Sequence, residues 1–532
     1  MGPEDGQTRK RYGAIGAWLT SGPPHPRGAW PTGGELALWV ILILATFPPV
    51  FSALALGYFP LQMDELVIAW SAKRIAQGEL IYRDFFIHYP PVGFYGLALS
   101  FELLGHSLAA LRIVQIVSTM TLTGVSYLLL RRLGGARLGA AAASLVFPWA
   151  VFWYWPVPSM YWLCLPLAVA ALLLIELPFK DRRGSEAKSH RFNTPAFLAG
   201  ILAGLTGLSI QPLGLMTSAW LVLRVVTPPI RRSMLIAVLA GMLAPVLLVV
   251  AMLAVGGNLA DAISATVVYP AQAYEQGGGF NDLPLPRMFE AALAGAWARG
   301  PVAFLLHWVI LALPVLVGLF ALIRFAARRR PADVVNLLMF AVIIMVYLRG
   351  RTDWVHAAFF LVFVLVLGWR LLHDDGTSGW MKRLGHGWVG LALALGVAMW
   401  TSTWLAHKAG GPSVRVDDAL RARADAIMSY VPAEFQDATV LNLPHGSSLY
   451  FFRDANAPPW DWVLPPSQRT HSEDIYSGLS EWLERNEIPV VILTGDHGQK
   501  LWREPSPLSV ALRRDYRPFQ RAGPDPLVLL RQ

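Results

Sequence analysis

The chain has 532 residues, of which 55% are hydrophobic and 15% are charged, and its formal net charge is +9. Because soluble globular proteins contain about 25% charged residues, this composition excludes an ordinary soluble protein and is typical of a polytopic membrane protein. The excess Lys and Arg residues cluster in loops, a pattern that suits control of membrane topology better than binding of nucleic acid.

The amino-terminal segment 1–34 is polar and rich in Gly and Pro, without the apolar core of a signal peptide, and predicts a disordered cytoplasmic tail. A transmembrane domain is predicted over 35–407. About eleven apolar segments are long enough, or nearly long enough, to cross a bilayer: 36–59, 109–130, 138–155, 159–178, 194–209, 212–227, 233–255, 301–323, 332–348, 355–372 and 387–405. The segment 92–105 is shorter and contains Glu102, so it either spans the membrane or lies in the interface.

Positive charge decides between these two alternatives. If 92–105 lies in the interface, every basic cluster between membrane segments falls on one face, whereas a spanning 92–105 would move the later clusters to the other face. We therefore predict a polytopic α-helical protein of the plasma membrane with a cytoplasmic N-terminus. The outer face then holds the loop 60–108, the loop 256–300, the segment 349–356 and everything after about 408.

The loop 60–108 opens with Asp64 and Glu65, directly after the first span. Charge at a bilayer boundary is costly, so this acidic pair is either a functional carboxylate pair or a helix N-cap followed by a solvated acid. A short helix is predicted from here to Gly78, which would end it. Apolar residues spaced three and four apart predict that one face of this helix lies on lipid: Leu66, Ala69 and Trp70.

The second half of this loop carries further candidates for substrate binding. Arg83 and Asp84 are either substrate-binding residues or a surface ion pair of little energetic value. His88 and Tyr89 precede Pro90-Pro91, a rigid pair that starts a second interfacial helix. His88 is either a site residue or an interfacial histidine with no special role.

Two later outer segments are less informative. Gln211 lies in a break between two predicted spans, where it either faces the site or ends a helix before Pro212. The loop 256–300 contains the glycine run 277–279, which is typical of a mobile flap over a lipid donor but equally of a simple linker.

The segment 349–356 combines charge with a membrane exit. Its candidates for binding a phosphate are Arg349, Arg351, Asp353 and His356. A guanidinium group matches phosphate oxygens and stays charged near lipid. The alternative is a topological end with an interfacial Trp354, although a pair of outer arginines opposes the usual charge bias and favours a functional role.

The composition changes to that of a soluble protein near 411, which predicts an extracytoplasmic α/β domain over 408–532. Its predicted helices are 417–431 and 473–487, and its predicted strands are 438–443, 448–452 and 489–495. No Gly-rich phosphate loop follows a strand, so a nucleotide cofactor is not expected. We expect an accessory domain that packs on the outer loops.

The order of these features resembles the GT-C class of membrane glycosyltransferases, which includes protein O-mannosyltransferases, aminoarabinose transferases and RgtA/B/C/D-like bacterial relatives. The pattern is a span followed by these motifs in order: Asp64-Glu65, Gly78-x-x-x-Tyr82-x-Asp84, Pro90-Pro91, and Gly105 followed by Arg112 at the start of the next span. The segment from Arg351 to His356 also resembles an Arg-x-Asp-x-x-His element of bacterial relatives. One departure is Tyr89, which occupies a position where several relatives have Lys.

The resemblance implies transfer of a sugar from a polyprenyl-phosphate carrier to an acceptor at the outer face. Asp64 would be the catalytic carboxylate and Glu65 its neighbour in the same site. Such transfer needs a base for the acceptor hydroxyl, a carboxylate near an oxocarbenium-like transition state and cations for the leaving phosphate. Asp64 could meet the first need, and Arg349, Arg351 and His356 the third.

Several alternatives stay open at this stage. Asp64, Glu65 and Asp84 could share a divalent metal ion with the phosphate. The acceptor could be a glycan, a lipid or a protein, and membrane lipids surround the site. A transporter or flippase of lipid-linked sugars, or a noncatalytic membrane scaffold, would also fit the topology; the first predicts charges at span centres and an internal repeat, neither of which is evident.

Overall fold

The computed structural model describes most of the chain, and the structural statements below concern these residues: 33–56, 63–152, 158–180, 193–227, 231–271, 294, 297, 300–349, 354–374, 376–409, 416–443, 449–451, 480–481, 483–485, 487–494, 498, 501–503, 505–521 and 526–532. The predicted tail 1–34 lies almost entirely outside them, as do the glycine run 277–279 and most of the predicted helix 473–487.

The described part of the chain before residue 410 is mainly helical. Its helices are α1 (Gly33–Leu56), α2 (Met63–Ala76), α3 (Val92–Leu104), α4 (Leu108–Arg132), α5 (Arg137–Val146, continued by a wider turn to Val151), α6 (Met160–Lys180), α7 (Thr194–Gly207), α8 (Gln211–Val226), α9 (Arg232–Val255), α10 (Leu259–Ile263, continued by a wider turn, Ser264–Val268), α11 (Pro301–Arg328), α12 (Pro331–Arg349), α13 (Trp354–His373) and α14 (Gly379–Ala409).

Seven of the described helices are long and apolar enough to cross a membrane, namely α1, α4, α6, α9, α11, α12 and α14. The protein is therefore a multi-pass membrane protein. Each of the eleven predicted spans coincides with a helix, but α5, α7, α8 and α13 are shorter or less apolar than these seven. The short helix α3, over the predicted interfacial segment 92–105, has 13 residues, so it is about 20 Å long and shorter than the ~30 Å hydrocarbon core.

Salt bridges join helix ends on one side of the bundle, here called the arginine end. Three clusters define it: Glu35 with Arg131 and Arg137, Glu176 with Arg224 and Arg370, and Arg324 with Asp333 and Asp374. These clusters join the starts of α1, α5 and α12 to the ends of α4, α6, α8, α11 and α13, so successive helices run in opposite directions. The other side, here called the loop end, holds α2, α3 and the segment between them.

Close backbone contact joins α7 to α9. A Cβ atom on Gly200 would lie 2.2 Å from the Val238 carbonyl oxygen, and one on Gly241 would lie 2.1 Å from the Phe197 carbonyl oxygen. Membrane helices associate by packing rather than by the hydrophobic effect, and small residues permit such close approach. These glycines therefore fix the spacing of the two helices.

The helix α2 is covered rather than exposed to lipid. The residues predicted to face lipid, Leu66, Ala69 and Trp70, are all buried, and that prediction is wrong. The reason is tertiary: α2 packs against α3, and the ring of Trp70 lies 5.9 Å from that of Tyr450 in the carboxyl-terminal part of the chain.

The carboxyl-terminal part contains α15 (Val416–Ser429), α16 (Pro507–Asp515) and a four-stranded sheet of order β1-β2-β4-β3. Its strands are β1 (Val440–Leu443), β2 (Val490–Leu493), β3 (Tyr516–Arg521) and β4 (Leu527–Arg531). The pair β1 and β2 is parallel, and the other two pairs are antiparallel. The predicted helix 417–431 and the predicted strands 438–443 and 489–495 are confirmed.

The predicted strand 448–452 is wrong, because the described residues 449–451 are helical. The segment is apolar and aromatic enough for a strand. Its central residue Tyr450 is instead buried against Trp70, with its hydroxyl group bonded to the backbone of β1. Its hydroxyl therefore contacts the backbone of β1, which is an edge strand of the sheet.

Candidate active site

The start of α2 carries the acidic pair. The structure shows the contacts of its second residue, Glu65. Glu65 is 1% exposed and pairs with Arg112 of α4, which is 13% exposed. Arg112 Nε lies 2.8 Å from Glu65 Oε1, and Nη2 lies 3.3 Å from Oε2. Such a two-pronged guanidinium–carboxylate pair is strong and directional. Ser107 begins α4 by accepting a hydrogen bond from Ala110 N at 3.2 Å, which orients the turn that carries Arg112.

This pair connects two positions that are 47 residues apart in the sequence. It joins the acidic motif to the arginine that opens the next span, so two separate parts of the motif meet at the loop end. The backbone places Asp64 as the second residue of α2, next to Glu65. The side chain of Asp64 lies outside the described part of the structure.

The turn after α2 is shaped by the next motif residues. Gly78 ends the helix with φ +94°, and Tyr82 adopts φ +73°, a conformation that L residues rarely adopt. The carboxylate of Asp84 accepts hydrogen bonds from Leu80 N at 2.7 Å and from Arg83 Nε at 2.8 Å. The bond from Arg83 holds the pKa of Asp84 below its ordinary value. Since Arg83 is 52% and Asp84 29% exposed, this is a surface ion pair that also shapes the turn.

A buried arginine, which sequence reasoning missed, organises the same turn. Arg74 Nε donates to Glu79 Oε2 at 2.8 Å, and its Nη2 donates to the carbonyl oxygen of Asp84 at 3.1 Å. Its guanidinium group lies 4.7 Å from the centre of the Phe85 ring. The only sequence signal was a basic residue in the last turn of a helix, a position where arginines are usually solvated.

An aromatic group lies at the end of this loop. The rings of His88 and Tyr89 have centroids 4.2 Å apart, and Tyr269 of the segment that continues α10 lies 6.1 Å from His88. The hydroxyl of Tyr82 donates to the carbonyl oxygen of Tyr89 at 2.7 Å, and burial raises the pKa of Tyr82. His88 and Tyr89 are half-buried, so the segment is held by neighbouring rings and can present a part of each ring to a ligand.

Two amide side chains fasten α10 to the rest of the loop end. Asn258 Nδ2 donates to the Ile81 carbonyl oxygen at 2.8 Å, and Gln211 Nε2 donates to the Thr266 carbonyl oxygen at 3.1 Å. The predicted break before Pro212 is confirmed, because α7 ends at Gly207 and α8 begins at Gln211. Gln211 therefore lies at the loop end, where it binds the protein backbone of α10.

The two helix ends that flank the segment 349–356 also lie at the loop end. Since Asp333 and Asp374 lie at the arginine end, the end of α12 at Arg349 and the start of α13 at Trp354 lie at the opposite side. Arg351 and Asp353 lie outside the described residues, as do the side chains of Arg349 and His356.

The start of α13 is connected to the loop through α6. Phe359 stacks on Tyr161 of α6 with centroids 4.4 Å apart, and the adjacent Met160 touches Gly93 at the start of α3. Packing therefore places the start of α13, with the backbone of His356, on the same side of the bundle as the start of α3.

Two of the three residues suggested for a metal ion are bonded to arginines. Both oxygens of Glu65 are bonded to Arg112, and both oxygens of Asp84 are bonded to Arg83. Among the described residues, no group of three His, Cys, Asp or Glu side chains is arranged to hold a metal.

No protein-family model and no curated protein matches the chain. Solved structures do match its fold. The oligosaccharyltransferase of Archaeoglobus fulgidus, solved with a tethered acceptor peptide, covers 91% of this chain and 72% of its own length, with 15% identity and a TM-score of 0.54. The chain has the fold of the GT-C glycosyltransferases. The resemblance inferred from the order of motifs is thus confirmed for the fold.

Two further GT-C structures are similar at lower TM-scores. ArnT from Cupriavidus metallidurans, solved with undecaprenyl phosphate, matches 94% of this chain and 98% of its own, with 15% identity and a TM-score of 0.43. The mycobacterial arabinofuranosyltransferase AftD matches 95% of this chain and 42% of its own, with 14% identity and a TM-score of 0.46. In the GT-C fold of this chain, the acidic pair, the aromatic segment 86–89, the end of α12 and the start of α13 share one end of the bundle.

Proposed function

We propose that the protein is a membrane glycosyltransferase that moves a sugar from a polyprenyl-phosphate-linked donor to an acceptor hydroxyl. The observation that carries the proposal is the buried ion pair of Glu65 and Arg112 in a chain with the GT-C fold. This pair holds the start of α2, and with it the backbone of Asp64, at the loop end.

The proposed topology has eleven spans, with the arginine end in the cytoplasm. Basic residues are retained on the cytoplasmic side of membrane proteins, and arginines of four helix ends meet there at Arg131, Arg224, Arg324 and Arg370. The loop end and the carboxyl-terminal sheet then face the outside. A lipid-linked donor in the outer leaflet would reach this end by lateral diffusion.

The proposed reaction is one displacement at the anomeric carbon. The acceptor oxygen attacks this carbon, the bond from the carbon to the phosphate oxygen breaks, and polyprenyl phosphate leaves with the bonding electrons. Asp64 accepts the proton of the acceptor hydroxyl as general base. Glu65 is already bonded to Arg112 through both oxygens, so its role in this scheme is to position Asp64.

The leaving phosphate requires positive charge or hydrogen-bond donors. The proposed groups are Arg349, Arg351 and His356 together with the neighbouring Asp353, and the ring of His88. Backbone geometry supports this choice, since α12 ends and α13 begins at the loop end. Arg83 is less suited, because its guanidinium group is bonded to Asp84.

The test is transfer from labelled polyprenyl-phosphate sugars by purified protein in nanodiscs, with peptide, glycan and lipid acceptors supplied separately. We expect Asp64→Asn to lower the transfer rate by about 10²-fold or more with an unchanged melting temperature. Asp261→Asn, which alters an exposed acid in α10, serves as the control and should leave the rate unchanged.

Transfer by Asp64→Asn at the wild-type rate would remove Asp64 from the mechanism. If neither protein transferred any sugar from the donor panel, labelled donor would be followed across sealed vesicles. Movement of intact donor between leaflets would establish a flippase in place of the transferase.

A further inference from the structure

The helix that carries the acidic pair is held at both ends by contacts of different kinds. Its amino-terminal end is joined to α4 by Glu65 and Arg112. Its carboxyl-terminal end is joined to residues 449–451, which come from the carboxyl-terminal part of the chain. The second contact lies almost 380 residues away in the sequence, and the proposed chemistry makes no use of it.

A buried lysine forms the centre of this second contact. Lys73 is 6% exposed, and its Nζ donates to the carbonyl oxygen of Phe451 at 3.1 Å. The same ammonium group lies 5.7 Å from the centre of the Trp70 ring and 5.4 Å from that of the Phe451 ring. A buried ammonium group is costly unless it has such partners, so this contact is specific to the docked arrangement.

Tyr450 extends the contact to the sheet. Its fully buried ring lies 5.9 Å from that of Trp70. Its hydroxyl donates to the Val440 carbonyl oxygen at 3.0 Å and accepts from Asn442 N at 2.9 Å. Both partners belong to β1, an edge strand that pairs with the interior strand β2. One side chain therefore connects α2 to the four-stranded sheet.

A small movement of α2 at this contact would change the position of Asp64 at the other end of the helix. Glu65 and Lys73 are eight residues apart on one helix, so about 12 Å of rigid helix separates them. Any tilt of α2 at Lys73 is transmitted to its first turn, where Asp64 lies. A misplacement of about 1 Å in a reacting group can lower a rate about 10²-fold.

We propose that Lys73 and Tyr450 are positioning residues for the acidic pair, and that the carboxyl-terminal sheet is a fixed part of the active-site frame. This inference rests on the proposed function for its kinetic consequences. The carboxyl-terminal part is then more than an accessory domain. Its sheet holds α2 in the orientation that places Asp64 for catalysis.

Tyr450→Phe in the full-length protein tests the connection, because it removes the two hydrogen bonds to β1 and keeps the ring against Trp70. Tyr516→Phe is the matched control. Tyr516 is buried in the same sheet and its hydroxyl donates to the Ile488 carbonyl oxygen at 2.7 Å, but its strand lies at the far edge of the sheet from β1. We expect Tyr450→Phe to lower kcat about tenfold, with KM for the donor within about twofold, and Tyr516→Phe to leave both constants unchanged.

Lys73 provides a second variant pair. Lys73→Met should lower kcat in the same way, whereas Lys73→Arg keeps a cation that can donate to Phe451 and should restore most of the rate. Equal kinetics for Tyr450→Phe and Tyr516→Phe, or an equal loss in the two Lys73 variants, would overturn the proposal.

Hydrogen exchange of the α2 amides gives a readout that does not depend on transferase activity. We expect faster exchange over 63–76 in Tyr450→Phe and wild-type exchange there in Tyr516→Phe. Should the wild-type protein transfer no sugar, this measurement still decides whether the sheet holds α2. Unchanged exchange in Tyr450→Phe would refute the positioning role itself.

Discussion

Replacement of Glu65 by Gln gives the most direct test of the site. The change keeps the shape of the side chain, which is 1% exposed, but removes the charge that faces Arg112. Breaking a buried ion pair by removing one partner costs about 3–5 kcal/mol. Because Arg112 is 13% exposed and the amide can still accept one hydrogen bond, we expect the lower end of this range, about 3 kcal/mol.

The same change should impair catalysis beyond its effect on stability. Without the ion pair, the first turn of α2 loses its attachment to α4, so the backbone of Asp64 is free to move. We expect kcat per folded molecule to fall about 10²-fold, with a lowered melting temperature. The measurement combines melting of the purified protein in nanodiscs with transfer rates corrected for the folded fraction.

A double-mutant cycle with Arg112→Gln measures the interaction energy between Glu65 and Arg112 separately from the effect of each substitution on other contacts. Replacement of both partners removes the unpaired buried charge, so the double variant should recover at least half of the lost stability. Losses that simply add, to within about 0.5 kcal/mol, would refute the pairing. Glu176→Gln is the matched control, since Glu176 is 8% exposed and pairs with Arg224 at the opposite end of the bundle. It should lower the melting temperature and leave transfer per folded molecule unchanged.

Two further predictions concern packing and pH. Gly241→Ala should lower the melting temperature, because the new Cβ atom would lie 2.1 Å from the Phe197 carbonyl oxygen, whereas Gly390→Ala, with nothing within 4 Å, should not. Overpacking of this kind costs about 1–3 kcal/mol. Burial raises the pKa of Tyr516 to about 12 from about 10 in the unfolded chain, so its contribution to stability is complete below pH ~10 and is lost as the pH rises toward 12. Tyr516→Phe should abolish this part of the alkaline loss of stability, as measured by melting at pH 8 to 11.

The membrane helices were predictable because their signals are local. A run of apolar residues of membrane length and a cluster of arginines at its end need no knowledge of the partner helix. Each of the eleven predicted spans coincides with a helix, and seven of the described helices are long and apolar enough to cross a membrane. The salt bridges of Glu35, Glu176 and Arg324 join basic helix ends on one side of the bundle, as the charge pattern predicts.

The contacts that build the site were not predictable in this way. Glu65 and Arg112 were both recognised as motif residues, but nothing in their spacing shows that the two side chains meet. The prediction of a lipid-facing stripe at Trp70 was wrong because its cover comes from Tyr450, which is 380 positions later in the chain. The strands β3 and β4 were not predicted, because they are short and because Arg517 and Arg531 interrupt or end their apolar pattern.

The two acids of the motif, Asp64 and Glu65, therefore need different surroundings. A buried carboxylate beside a membrane is stable only with a cation, and Glu65 has one in Arg112. A general base must instead remain free to take a proton, which a two-pronged guanidinium contact would prevent by holding the carboxylate in its charged form. An adjacent pair resolves this conflict, since one acid can anchor the helix through its arginine while its neighbour keeps its oxygens for the substrate. Exchange of the two residues, Asp64→Glu together with Glu65→Asp, should therefore abolish transfer although the net charge is unchanged, and retained transfer would show that the two positions are equivalent.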